Sequence, residues 1–477
     1  MDWRNALFIK YNLGSTGKKI ILDQTGILAS SDFQNFLKEK GIVSVYAAKL
    51  SQLLSQISDP SVRVILTSVS DIPAYLQHKA DLYHFGYEDL PFPAEPCLLQ
   101  SLSAHQTVSL CNYLSVSQPH TVIAKHNLPD LLKNAEKHQQ EKEINILKNQ
   151  IDHLLSQKAD YSTVIEMGML WGKLMYALYK IRQENPKEIQ IAMDQYVLDY
   201  ILSDKLKNIW YLGPGEVKSV DRIIRWLQYQ NMEKFAIVCF DAMGVAEWEV
   251  LKNHLVPHDF HFHEKFIYAL IPTTTAISRA ALFSGENEMV YHAKSVNESK
   301  EFRKKFPGYE HRHFREKDLI SPDKLLGITA VTMIFSFFDE LAHAACFPPG
   351  SDTKHIYFDT VKNWMDRLAV EDIFHLLLQQ GFRVFACSDH GSVVADGNGK
   401  NIERWMQDRF ARRGCMAEES ILLEFYDYPQ YQIPFVKGKT VLLPEKRTMF
   451  HHAGKIAIAH GGVTVDELIV PFAEITI

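Results

Sequence analysis

Five stretches of the chain set a carboxylate, an imidazole or a hydroxyl just beyond an apolar run. They are Phe235-Ala-Ile-Val-Cys-Phe-Asp241-Ala-Met-Gly244; Ile271-Pro272-Thr273-Thr274-Thr275, leading on to Ser278, Arg279 and Gly285; Ile328 to Phe338, followed by Asp339 and His343; Phe382 to Ser388, followed by Asp389-His390-Gly391; and Lys455 to Ala459, followed by His460-Gly-Gly462. A β-rich run that stops on an acidic residue and then glycine reads as a buried parallel strand, delivering its carboxylate to the sheet edge where ligands of α/β folds bind. Asp339 and His343 are four residues apart where a strand is expected to turn into a helix, so they lie on one helical face and suit one shared metal ion. Three carboxylates and three histidines placed at strand ends are hard to explain as satisfied core polar groups.

The threonine stretch allows two readings. Proline after the strand and small or helix-forming residues after the threonines predict a helix beginning near Thr275. Its free N–H groups and positive dipole end would hold an anion and help form a threonine alkoxide; alternatively, one threonine caps the helix.

These residues need a scaffold, and 477 residues suffice for two or three domains. Residues 1–125 read as a small α/β domain, with strands at Lys19-Ile-Ile-Leu, Ile42 to Tyr46 and Val62 to Thr67, and helices from Asp32 to Lys40 and Ala47 to Ile57. Asp71-Ile-Pro-Ala-Tyr follows the third strand. A phosphoreceiver would need paired acidic residues after its first strand and a lysine partner, and neither is evident. Residues 126–230 shift to Lys, Gln, Glu and Leu and read as a helical spacer. Ile144, Leu147, Ile151, Leu154 and Leu155 recur at helical spacing there, over too few heptads for a coiled coil. Tyr196 to Leu227 continues as helices with a turn at Gly213-Pro-Gly215. Residues 231–477 alternate strands and helices and carry the chemistry. His258, His261 and His263 fall on an expected loop before the strand Phe266 to Leu270 and read as solvated rather than as metal ligands. The polar segment Glu286 to Leu325, with a basic and aromatic cluster from Phe302 to Arg315, reads either as a solvated surface loop or as an insertion that gates the pocket or grips a nucleotide backbone.

The net charge of −6 does not favour wrapping nucleic acid with a broad basic face, so any phosphate site must be local. Neither a signal peptide nor a membrane span is evident, and a cytoplasmic protein without membrane association is expected. Six scattered cysteines without CxxC spacing read as buried free thiols.

Taken in order, a strand-end Asp, a threonine before a helix, DxxxH, SDHG and a late HGG resemble the alkaline phosphatase superfamily, specifically the PglZ domain. His460-Gly-Gly-Val-Thr-Val-Asp-Glu-Leu-Ile-Val-Pro471 is especially similar. The resemblance covers about the last half of the chain. It implies an alkaline-phosphatase-like α/β/α sandwich with a mostly parallel sheet, preceded by the small α/β domain and the helical region, and zinc-dependent cleavage of phosphoesters. Domains of this type occur in BREX-type phage defence. Carried over, the resemblance assigns Asp241, Thr275, Asp389 and His390 to one ion and Asp339, His343 and His460 to the other. Oxygen and nitrogen donors without thiolate suit Zn²⁺, with Mn²⁺ as a substitute. The resemblance makes Thr275 the nucleophile, preferred over Thr273 and Thr274 because the family's nucleophile stands ten positions before the glycine that closes its helix, here Gly285. Arg279 is a phosphate clamp or else a surface salt-bridge partner, and Ser278 stands where phosphodiesterase relatives carry an asparagine that holds a non-bridging oxygen. The expected substrate is a phosphodiester, down to an oligonucleotide or nucleic acid, with defence-system proteins docking through residues 1–230. The alternatives are a phosphomonoesterase and a non-catalytic, metal-stabilised scaffold subunit of a defence complex.

Overall fold

The computed structural model describes residues 2–117, 121–203, 215–293, 295–344, 346–347, 353–400, 402, 412–418, 427–434 and 436–477. Gly213 and Pro214 of the expected turn lie outside them. The chain divides into two compact units, Met1–Glu143 and Ile144–Ile477.

In the first unit, β1 (Lys19–Asp23), β2 (Ser44–Ala47), β3 (Val64–Thr67) and β4 (Asp81–Phe85) form a parallel sheet in the order β2-β3-β1-β4. The strand β4 has no clear apolar run, because Asp81 and His84 interrupt it and only Phe85 is buried.

The second unit is built on a six-stranded sheet. It contains β5 (Phe235–Phe240), β6 (His261–Tyr268), β7 (His311–Arg315), β8 (Ala330–Phe335) and two later strands. The later strands are β9 (Cys346–Phe347), β10 (Arg383–Ser388), β11 (Val393–Gly397), β12 (Cys415–Glu418), β13 (Gln430–Gln432), β14 (Lys439–Leu442), β15 (Thr448–Met449), β16 (Ile456–Ala459) and β17 (Ile469–Thr476), of which β10 and β17 join the main sheet. The main sheet runs β6-β17-β10-β5-β8-β7, with β17 antiparallel to both its neighbours and the other pairs parallel. The central β5 and β8 are buried at every position, as strands covered on both faces must be. A small sheet β15-β11-β16-β9 and a three-stranded sheet β12-β14-β13 complete the unit.

The helices of the expected spacer pack on this core. Ile144, Leu147, Ile151 and Leu154 share one hydrophobic cluster with Trp171, Val197 and the strands. Within the helix Tyr161–Lys180, Gly168 and Gly172 let the backbone close on the sheet unit: a Cβ at Gly172 would lie 2.4 Å from Val245 Cγ1, and one at Gly168 2.6 Å from Ile469 Cγ1.

Three further expectations change. The run Ile328 to Phe338 is not one strand: β8 stops at Phe335, and Phe337 and Phe338 already belong to the helix Phe337–Ala344, so Asp339 stands in its first turn. His261 and His263 lie on β6 rather than on a loop, both exposed on one side of an edge strand. The cluster Phe302 to Arg315 is neither a loop nor a lid. It comprises the end of the helix Glu298–Lys305 and the edge strand β7, and Phe306 and Tyr309 pack on Phe235 with ring centroids 5.0 and 5.5 Å apart. Cys111, Cys239, Cys387 and Cys415 are buried free thiols, and Cys97 is exposed.

Candidate metal centre and nucleophile

The parallel strands β5 and β10 are paired in register, Phe240 opposite Ser388, so the next residue of each strand, Asp241 and Asp389, emerges at the same edge. The chain turns sharply after Asp241, with Ala242 in the left-handed region at φ 64°. Such a conformation strains a residue carrying a Cβ, and Asp389 holds it: Ala242 N–H donates to Asp389 Oδ1 at 3.2 Å, and Met243 N–H to Ser388 Oγ at 3.1 Å. The glycines Gly244 and Gly391 let these loops meet the turn around Asp466. A Cβ at Gly391 would lie 1.9 Å from Asp466 O. Only glycine fits there.

Asp241, Asp389 and His390 are all buried, and one donor atom from each lies within 4.8 Å of the others. His390 Nδ1 is 3.0 Å from Gly391 O. A carbonyl only accepts, so Nδ1 carries the proton and the Nε2 lone pair faces the cluster. Nε2 stands 3.7 Å from Asp241 Oδ1 and 3.8 Å from Asp389 Oδ2. Asp389 Oδ2 is buried with no hydrogen-bond partner among the described residues. Burial, reinforced by Asp389, pushes the Asp241 carboxyl well above the usual carboxylate range although Arg279 pulls it back, and burial raises Asp389 as well. Two buried acids, an unpartnered carboxylate oxygen and an imidazole lone pair converging on one point form a donor set that fits a divalent cation.

Thr275 opens a π-helical turn, Thr275–Arg279, that leads into the helix Ala280–Ser284 and ends at Gly285 in the left-handed region. Its Oγ1 lies 3.2 Å from Asp241 Oδ1 and 3.1 Å from His390 Nε2. The neighbouring threonines point elsewhere. Thr273 donates its hydroxyl to Gly462 O at 2.8 Å and accepts from Gly461 N–H at 3.1 Å, and Thr274 is the buried residue preceding the turn. Ser278 is fully buried: it accepts Leu270 N–H at 3.0 Å and donates to Leu270 O at 3.1 Å, so its hydroxyl is committed to the backbone. Arg279 is not a surface residue. Its side chain is 12% exposed, Nη1 donates to Asp241 Oδ2 and Nε to Glu298 Oε1 at 2.6 Å. Burial opposes its charge, but Asp241, Asp389 and Glu298 outweigh that and hold it protonated. Glu298 also accepts from Arg315 Nη2 at 3.1 Å. No local motif marks Glu298, because its partner lies 19 residues away in sequence.

His460 reaches the same place from the small sheet, at the end of β16. Its Nδ1 is 3.2 Å from Thr273 O, which fixes the proton there, and Nε2 is 3.4 Å from Asp339 Oδ1. The His390 and His460 rings stack, with centroids 4.5 Å apart and 23° between planes, so the two donor groups are immediate neighbours. His343 follows Asp339 by one turn of the helix Phe337–Ala344; its side chain lies outside the described residues.

No family model matches the chain, and no curated protein matches it. Similar solved structures include phosphonoacetate hydrolase from Sinorhizobium meliloti 1021 in complex with phosphonoacetate, at 11% identity and a TM-score of 0.32 over 51% of this chain and 89% of that one. Murine ectonucleotide pyrophosphatase/phosphodiesterase 5 is similar at 12% identity and a TM-score of 0.31, over 50% of this chain and 88% of that one. Among the described residues, no helix is long and apolar enough to cross a membrane.

Proposed function

We propose that the carboxy-terminal unit hydrolyses phosphate esters, diesters foremost, with Thr275 as nucleophile beside a pair of divalent cations, zinc foremost. One observation carries this reading: the Thr275 hydroxyl sits 3.2 Å from Asp241 and 3.1 Å from His390, inside a buried donor cluster that His460 and Asp339 continue. Asp241, Asp389 and His390 would hold one cation, and Asp339, His343 and His460 the other. When bound, the pair would supply the Lewis acidity and charge neutralisation that an in-line phosphoryl displacement requires.

The rest follows from the chain's own residues. Thr275 Oγ1 stands beside Asp241 and His390, two residues that would hold a cation, and that positive charge would favour loss of the hydroxyl proton. Its Oγ1 bonds to phosphorus while the P–O bond to the leaving alcohol breaks, giving a phosphothreonine. Water then attacks that phosphorus, the Thr275–phosphorus bond breaks, and the hydroxyl is restored. Arg279 keeps a positive charge beside the reacting centre and aligns Asp241 through Nη1, and its guanidinium is suited to gripping a phosphate oxygen. Ser278 takes no part in oxygen binding and locks the turn that carries Thr275. The PglZ likeness motivates oligonucleotides and a role in phage defence as the finer form of this proposal.

The test is hydrolysis of bis(p-nitrophenyl) phosphate and of p-nitrophenyl phosphate by chelator-treated protein, before and after Zn²⁺ or Mn²⁺ is restored, with Thr275→Ala in parallel. Cation-dependent turnover of the diester that vanishes in Thr275→Ala supports the proposal, and oligonucleotides are then the next substrates. Preference for the monoester reassigns the substrate class. Cation binding without turnover of either ester would make the unit a scaffold.

A further inference from the structure

We infer that the second unit carries another metal site, separate from the Thr275 centre, formed by His254, His258 and Glu371 with Asp366 orienting His254. His254 lies in the last turn of the helix Val245–Leu255, and the single turn Val256–His258 carries His258 onward, with ring centroids 5.9 Å apart. Glu371 stands in the first turn of the helix Val370–Gln379 and brings Oε2 to 2.9 Å from His254 Nε2, although the two residues are 117 apart in sequence. One donor atom from each of the three lies within 4.8 Å of the others. Zinc bonded to imidazole nitrogen at about 2.0–2.1 Å needs donor atoms roughly 3.4 Å apart. Modest side-chain rotations supply that.

The second nitrogen of His254 supplies the hydrogen bond that a ligating ring needs. Its Nδ1 faces Asp366 Oδ1 at 3.4 Å while Nε2 faces Glu371. A neutral imidazole has one N–H and satisfies one of these carboxylates, whereas an imidazolium, or a ring bearing a cation on Nε2, satisfies both. A cation on Nε2, with Nδ1–H donated to Asp366, satisfies both in the carboxylate–histidine–metal arrangement that fixes a ligating ring. The carbonyl end of the 11-residue helix Val245–Leu255 adds negative potential at the same point. The site is open to solvent, since His258 is exposed and the side chains of His254 and Glu371 are half-buried. Two imidazoles and one carboxylate form a set suited to Zn²⁺, with Co²⁺ or Ni²⁺ as substitutes, and water would complete the coordination. Such an ion would staple the end of one helix to the start of another.

The experiment uses full-length protein without a histidine tag. Co²⁺ is titrated into Asp389→Asn, which is disabled at the Thr275 centre, and into Asp389→Asn with His258→Ala, and the visible absorption of tetrahedral Co²⁺ is recorded. The zinc content of wild type and His258→Ala is measured after dialysis against the same zinc buffer. The expected results are a saturable Co²⁺ band in Asp389→Asn that loses one equivalent of Co²⁺ in the double variant, and one fewer zinc per chain in His258→Ala with unchanged phosphate-ester hydrolysis. His258 is exposed, so its replacement leaves the fold intact. Equal zinc content in wild type and His258→Ala, or the same Co²⁺ band with and without His258, would overturn the inference. Because the Co²⁺ measurement is made without a working Thr275 centre, failure of the hydrolase proposal leaves it interpretable.

Discussion

Two aspartates, Asp23 and Asp389, occupy the same kind of place and do opposite things. Both stand at the carboxyl end of a central parallel strand, and both are buried. Asp23 turns both oxygens inward on its own loop: Oδ1 accepts Thr25 N–H at 2.9 Å, the Thr25 hydroxyl at 2.6 Å and Gly26 N–H at 3.0 Å, while Oδ2 accepts Leu28 N–H at 2.8 Å. Asp389 gives Oδ1 to the backbone N–H groups of Ala242 and His390 and leaves Oδ2 facing the imidazole lone pair of His390. A strand-end carboxylate is therefore ambiguous until its second oxygen is traced. The one is a buried loop cap; the other is a ligand held ready.

The widest test of this contrast is Thr275→Ala, which removes the hydroxyl that the Asp389 edge serves. Ester hydrolysis should fall on the order of 10³-fold or more while the melting temperature stays near wild type. Asymmetric responses to one substitution come next. Asp389→Asn keeps its two backbone hydrogen bonds through the amide oxygen and sheds a buried charge, so chelator-treated protein should gain about 1 kcal/mol in urea unfolding while losing cation binding and turnover. Asp23→Asn must turn an NH₂ group toward a backbone donor, and the first unit should lose about 2 kcal/mol, with the ester chemistry of the second unit intact. If both variants shift stability in the same direction, the contrast fails.

The smallest effect belongs to Asp160, an exposed aspartate that caps the helix Tyr161–Lys180 by accepting Thr163 N–H at 2.9 Å. Asp160→Ala should cost about 1 kcal/mol. The Thr163 N–H bond, with Ser162, holds the Asp160 carboxyl below its ordinary range despite slight burial. Its stabilisation is thus present above the unfolded carboxyl value of about 4 and fades as pH falls through the folded value. Paired urea melts at pH 7 and pH 3 should show the variant's deficit shrinking at the lower pH.

Much of the centre was legible because the chain repeats one local pattern, an apolar strand that ends on Asp or His before glycine. Asp241, Asp389, His390 and His460 all follow it. The fold read less well where that pattern blurs. Charge masks β7, whose sequence His-Arg-His-Phe-Arg buries only Phe314. Continuous apolarity hid the boundary between β8 and the next helix, since both faces of the strand and the start of the helix are covered. The apolar stripe of the helical segment does not reveal what it packs on, and Gly168 and Gly172 acquire meaning only beside Ile469 and Val245. Partners distant along the chain, such as Glu298 for Arg279 and Glu371 for His254, leave no local mark.

The His390–His460 stack joins the end of the main sheet to the end of the small one, and its anchors are far apart along the chain: Thr275 to His390 spans 115 residues and Thr273 to His460 spans 187. Contacts of such long loop closure form late during folding, after local helices and neighbouring strands. Protein refolding from urea should therefore regain its helical circular dichroism before it regains cation affinity, which makes the donor cluster a clock for the last step of assembly.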